Sequence, residues 1–109
     1  MVMPREKVLG LVREVRDALS VLYGDRLTGV YLFGSHARGD AREGSDIDVA
    51  VVLRGPVDPW EEREQTSELL GDVSLREDCV VTALFVSDED IRTTPYAIHR
   101  SIVREGVLV

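Results

Sequence analysis

The sequence predicts an α/β fold of the α+β kind: a small mixed sheet of three to four strands backed by helices, in the order αββαβα. Three observations carry that prediction. An apolar stripe at helical spacing occupies the N-terminal fifth of the chain. Two later runs, Val49–Leu53 and, but for Thr82, Cys79–Val86, are apolar on both faces, the mark of strands inside a sheet. Between those runs stands Asp58-Pro59, a helix-start signal.

Taken in order, Arg5 to Leu22 places Val8, Leu11, Val12, Val15, Leu19 and Leu22 on one helical face, with charged residues on the others. Gly24 suits the left-handed position that ends a helix. Leu27 to Phe33 is rich in β-branched and aromatic residues and reads as a strand. Gly34 to Ser45 is a polar, glycine-punctuated connection with room for one helical turn. The next strand spans about Asp46 to Leu53, and Gly55-Pro56 breaks it. A helix from Pro59 is expected to reach about Leu70 and stop near Gly71. The Cys79–Val86 strand follows, then a cap at Ser87. A last helix spans Pro95 to Arg104 with Ile98, Ile102 and Val103 as its apolar side. Glu105-Gly106 closes it, and Val107-Leu108-Val109 offers a short terminal strand.

The length, 109 residues, suits one domain covering 1–109. A formal charge of -7 and a pI near 4.7 argue against a general nucleic-acid coat, which needs surplus Lys and Arg. No apolar run is long enough to span a bilayer, and the first residues lack a signal-peptide pattern, so a cytoplasmic protein is expected. The single cysteine, Cys79, reads as a small buried hydrophobe. Trp60 reads as core or interface, and Glu61-Glu62-Arg63-Glu64 as a solvated helix face.

The segment that carries chemistry is Leu32-Phe33-Gly34-Ser35-His36-Ala37-Arg38-Gly39-Asp40, followed by Ser45-Asp46-Ile47-Asp48. Asp46 and Asp48, two apart at the head of a strand, point to one sheet face. Carboxylates held that close repel unless a hard cation joins them, and magnesium takes a few carboxylate oxygens and completes its shell with water and phosphates. Gly34 lets the chain bend and lets a bulky anion approach. Ser35 adds a hydroxyl and an amide, both donors to phosphate oxygen. Arg38 is placed either to meet a phosphate or to pair with a nearby acid. His36 reads as an exposed turn residue.

These residues resemble the nucleotidyltransferase superfamily of DNA polymerase beta, in particular its minimal members, the MNT group. The shared pattern is Gly34-Ser35, then Ala37, Arg38 and Gly39, then Ser45-Asp46-x-Asp48. The closing Ile102-Val103-Arg104-Glu105-Gly106-Val107-Leu108 resembles the ending of these small proteins, and the order of elements fits nearly the whole chain. The resemblance implies a single minimal domain of the nucleotidyltransferase fold. Asp46 and Asp48 would be the catalytic, metal-holding pair for Mg2+. Gly34, Ser35, Arg38 and Ser45 would serve the nucleoside triphosphate, with ATP the expected one. A nucleotidyl group would pass to an acceptor hydroxyl. The resemblance further implies an antitoxin role beside a HEPN-type toxin, or a homodimer, because the chain lacks a lobe to grip the acceptor.

One position departs from the pattern. Active members carry a third carboxylate on the strand after the second helix, and here the matching residue is Thr82. Asp78 would share its face by parity but stands four residues earlier, roughly 13 Å along a strand. Three readings stay open: Asp78 substitutes through a shifted register, a partner supplies the acid, or the domain binds nucleotide and transfers slowly or not at all.

Overall fold

In the computed structural model, which describes residues 2–109, the apolar stripe folds as α1 (Arg5–Tyr23) and buries Val8, Leu11, Val12, Val15 and Leu19. Leu22 stays exposed. A single 3-10 turn at Gly24–Arg26 leads into β1 (Leu27–Phe33), which ends at Gly34 and gives way to a one-turn helix, α2 (Ser35–Arg38). β2 (Ile47–Leu53) is covered along most of its length on both faces, as its apolar run predicts. α3 (Pro59–Glu77), β3 (Val81–Ser87), α4 (Asp88–Thr93), α5 (Ala97–Glu105) and β4 (Val107–Leu108) follow.

The sheet order is β3-β2-β1-β4, with β2 and β3 parallel and the other pairs antiparallel. This is the mixed sheet expected. α1 and α3 cover one face, where Val30, Leu32, Ile47, Val49, Val51, Leu53, Val81 and Phe85 join the α1 stripe in one core. α4 lies over β2 and β3 on the other face, above buried Ala50, Val52 and Val86. Because α4 leaves β3 at its C-terminal end, it covers only that half of the two parallel strands. Their N-terminal ends, which carry Asp48 and Thr82 on the same face, stay open.

The boundaries of α3 and β3 correct the sequence reading. α3 runs past Gly71 to Glu77. A glycine inside a helix costs about 1 kcal/mol, but buried Val73 and half-buried Leu69 and Leu70 continue the packed face beyond it. The longer helix takes Asp78 as its C-cap, at φ 49°, so β3 begins at Val81 rather than Cys79. Cys79 is only half-buried against the core, and burial pushes its thiol pKa up. In α5 the buried residues are His99 and Ile102, whereas Ile98 and Val103 are exposed. Trp60 is exposed and belongs to no core.

Glu62 overturns the reading of Glu61–Glu64 as a solvated face. It is buried to 1% exposure, and Arg26 Nη1 and Nη2 donate to it at 3.2 and 3.3 Å. Tyr23 Oη donates at 3.3 Å and the Asp58 amide at 3.1 Å. This network ties the start of α3 to the end of α1 and to the β1–β2 frame. Burial first, then the Glu62 charge and hydrogen bond, push the Tyr23 phenol up to about 12 from its ordinary 10.0. A phenol whose folded pKa is raised holds its proton longer in the native state than in the unfolded one. Its contribution to stability is whole below pH 10 and disappears as pH rises toward 12. Tyr23→Phe is expected to flatten the fall of urea stability over that interval; superimposable profiles for variant and wild type would refute this role.

Candidate nucleotide and metal site

The bend at the end of β1 is built around Gly34. Its φ of 78° and ψ of -156° are open to glycine and strained for other residues. A Cβ there would stand 3.2 Å from Asp48 Cγ and 3.3 Å from Asp48 Cβ, and closer still to Oδ2. The register explains the proximity: Phe33 pairs with Asp48 across β1 and β2, so the aspartate lies beside the next residue of the bend. Gly34→Ala is therefore expected to lower stability by about 1 to 3 kcal/mol through backbone strain. A variant with wild-type thermal stability would show that the bend tolerates a Cβ beside Asp48.

Below the bend, Gly34 O accepts from the Ala37 and Arg38 amides at 3.1 and 3.0 Å, closing α2. Ser35 O accepts from Gly39 and Asp40, and Gly39 takes the left-handed cap at φ 86°. Arg5, at the start of α1, donates to His36 O at 3.2 Å and Ala37 O at 3.4 Å. α1 thus anchors the turn whose first residue is Ser35. Nothing local in the sequence signals that contact, since the partners are about thirty residues apart.

Arg38 takes the second of its two expected roles. Its Nε donates to Asp40 at 3.3 Å and its Nη1 to Glu105 at 3.4 Å. Asp40 first, and Glu105 behind it, raise its pKa further. This pair joins α2 to the end of α5. Ser45 Oγ accepts from the Arg42 amide at 2.8 Å and closes a turn through Gly44. His36 is half-buried rather than exposed, with Nε2 3.4 Å from Ser45 O. The loop before β2 is therefore held against α2.

Asp46 is exposed just before β2, Ile47 is buried in the core, and Asp48 is half-buried on the opposite face. Alternation puts Asp48 on the face opposite Ile47, and Asp46 directly precedes the strand. Asp48 pairs in register with Thr82 across the parallel strands, and Thr82 Oγ1 donates to Asp48 Oδ1 at 2.6 Å. Thr82, which the resemblance sets at the third-acid position, is thus tied directly to Asp48. Asp78 does not substitute for it. At the cap of α3 it lines a cleft of about 420 Å³ with His36, Ser45, Ile47, Cys79 and Val80, on the Ile47 side of β2. Among the described residues no three His, Cys, Asp or Glu side chains come together as a metal cluster. A pair of aspartates two residues apart suits magnesium, which takes one or two protein carboxylates and fills its shell with substrate and water.

The fold, the glycine bend and the paired aspartates define a nucleotidyltransferase domain, and the chain belongs to that family, which it matches over residues 12–105. Among curated relatives, a Methanocaldococcus jannaschii protein named "Putative protein adenylyltransferase" is 33% identical over 96 residues, covering 87% of this chain and 90% of the relative. A second protein of that organism with the same name is 28% identical over 78 residues, covering 72% and 78%. Among solved structures, a nucleotidyltransferase-fold protein of Sulfolobus solfataricus superposes with a TM-score of 0.69 at 23% identity, over 95% of this chain and 80% of that one. A toxin-antitoxin structure with AMP-PNP gives 0.60 at 23% identity, over 97% and 72%. A tri-AMPylated Shewanella oneidensis HEPN toxin in complex with MNT antitoxin gives 0.52 at 21%, over 95% and 66%. At those identities the structural likenesses establish the fold alone.

Proposed function

We propose that this domain binds a magnesium nucleoside triphosphate, ATP, and transfers its adenylyl group to a protein hydroxyl. The observation that carries the reading is the packing of Asp48 onto the Cα of Gly34. A carboxylate suited to a cation and a bend suited to phosphate share one place. The names of the two archaeal relatives support adenylyl transfer to protein. The AMP-PNP and AMPylated-toxin neighbours support ATP as donor and a HEPN-type toxin as partner.

In this reading Asp46 and Asp48 hold Mg2+, and Ser35, through its hydroxyl and amide, orients the β- and γ-phosphates. When bound, the ion offsets triphosphate charge and polarises the phosphoryl oxygens. The acceptor oxygen attacks the α-phosphorus in line and pyrophosphate leaves. The chain contributes by placement and charge complementarity rather than by a covalent step. Arg38 and Ser45 act one layer back, fixing α2 and the loop that delivers Asp46. The partner supplies the surface that presents the acceptor, with a homodimer as the alternative source. A single minimal domain working in the cytoplasm fits this reading. Among the described residues no helix is long and apolar enough to cross a membrane.

The test is transfer of label from α-labelled ATP, with magnesium, to the protein encoded beside this one. Label on that partner, lost with Asp48→Asn, is expected; its absence despite tight Mg-ATP binding leaves a second reading, a nucleotide-binding module without transfer. The Thr82 hydroxyl on Asp48, where an acid would activate the acceptor, is the observation favouring that second reading. Ser35→Ala is expected to weaken ATP affinity by about 1 to 3 kcal/mol, the scale of a lost hydrogen bond to a charged acceptor. Calorimetric titration showing no loss would remove Ser35 from the phosphate contact.

A further inference from the structure

The two edges of the sheet differ. β4 is two residues long, too short to template another strand. β3, at the opposite edge, runs seven residues, Val81–Ser87, in unbroken register with β2, and carries no charge, proline or bulge. Those are the devices that usually keep an edge from pairing. One bond fixes which backbone groups face outward. Val80 O accepts from the Ile47 amide, so Thr82, Leu84 and Val86 turn their amides and carbonyls toward β2. Val81, Ala83 and Phe85 turn theirs away. Ser74 Oγ accepts from the Val81 amide at 3.1 Å. The amides and carbonyls of Ala83 and Phe85 have no hydrogen-bond partner among the described residues. A groove of about 250 Å³ lies between this edge and α3, lined by Ala83, Phe85, Thr66, Leu70 and Arg63. Arg63 is exposed and, in a chain of charge -7, has no ion pair among the described residues.

We propose that the free edge of β3 is the docking site for the acceptor protein, which enters as an extended segment and adds a fifth strand to the four-stranded sheet. The inference rests on the transferase reading above and names the form of its substrate. A strand's backbone matches the Ala83 and Phe85 donors and acceptors as a row, which is what this edge leaves open. The segment's side chains alternate between two faces. One set faces α3, where a carboxylate meets Arg63. The other set stands on the face that carries Thr82 and Asp48, one strand spacing of roughly 4.8 Å beyond β3. A hydroxyl-bearing residue in that second set is presented at the open end of the sheet. The acid and the hydroxyl therefore lie an odd number of residues apart in the acceptor.

The experiment titrates the 15N-labelled full chain, without nucleotide, with a synthetic valine-rich peptide. The peptide carries glutamate at one alternate set of positions and a tyrosine in the other, and amide hydrogen exchange is read by NMR. Expected is exchange slowed about tenfold or more at Ala83 and Phe85, with Thr82 and Leu84, already bonded to β2, unchanged. N-methylation of one alternate set of peptide amides should abolish binding, and of the other set leave it intact. Ala83→Pro removes an outward amide while sparing the β2–β3 ladder, and is expected to weaken the peptide by at least about fivefold. Arg63→Glu should weaken it about threefold at low salt, with circular dichroism showing both variants folded. A peptide that does not slow Ala83 and Phe85, or that binds alike with either set methylated, overturns the docking site. So does exchange at those two amides that slows with protein concentration in the chain alone, which would make the edge a seam between two copies. Ala83→Pro should also raise KM for the labelled partner with Mg-ATP affinity unchanged; a wild-type KM overturns the acceptor role. Mg-ATP binding is read separately by calorimetry. Its absence beside intact peptide pairing overturns the transferase reading and leaves the edge site standing, and its presence beside failed pairing does the reverse.

Discussion

Asp48→Asn is expected to weaken magnesium-dependent ATP binding by about a hundredfold or more, roughly 3 kcal/mol at 1.4 kcal/mol per decade. Asparagine keeps the shape and an acceptor oxygen for Thr82, so the fold and the 2.6 Å contact can survive while the negative charge is lost. Thermal unfolding without nucleotide should therefore change little. Asp46→Asn should behave alike, because Asp46 is exposed and holds no core contact. Calorimetric titration of ATP with and without Mg2+ reads the effect directly. An unaltered affinity in either variant would mean that the aspartate is an ordinary strand-end acid.

Thr82→Asp has the opposite sign and a comparable size. A carboxylate placed where the hydroxyl now donates to Asp48 sets like charges face to face across the parallel pair, costing about 1 kcal/mol in the absence of metal. Mg2+ should restore that loss, raising the melting temperature by about 4 to 8 °C for each kcal/mol regained. With a third acid available to take the acceptor's proton, label transfer to a partner should rise by about a hundredfold, within the usual range for general-base catalysis. A variant whose stability ignores Mg2+ and whose transfer matches wild type would show that Thr82 plays no part in the chemistry.

Much of the architecture is local and therefore readable from residues. The α1 stripe, the apolar β2 run and the Asp58-Pro59 start each state their structure within a few neighbours, and Asp58 does cap α3 through the Trp60 and Glu61 amides. The chemistry-bearing segment is also short in sequence, so Gly34, Ser35, Asp46 and Asp48 could be singled out before any contact was known. What escaped depends on partners far along the chain. Glu62 looks like any acid in a charged run, and only contact with Tyr23 at the end of α1 and Arg26 in the turn after it ties it down. Gly71 looks like a helix stop, yet Val73 and its neighbours find a core to pack against and carry the helix past it. That extension makes Asp78 the cap of α3, beside a cleft lined by Ile47, so its parity with Thr82 along a strand no longer applies. Arg5 beneath α2 and Glu105 beside Arg38 are likewise contacts that spacing cannot announce. The Thr82–Asp48 bond needed the register of two parallel strands, which no local pattern sets.

The most direct measurement is a crystal structure of the chain with Mg2+ and a non-hydrolysable ATP analogue. An ion is expected about 2.0 to 2.1 Å from oxygens of both Asp46 and Asp48, the usual magnesium distance, with the terminal phosphates on the hydroxyl and amide of Ser35. A triphosphate seated elsewhere, for instance in the cleft beside Asp78 and Cys79, or an ion that ignores both aspartates, would contradict it.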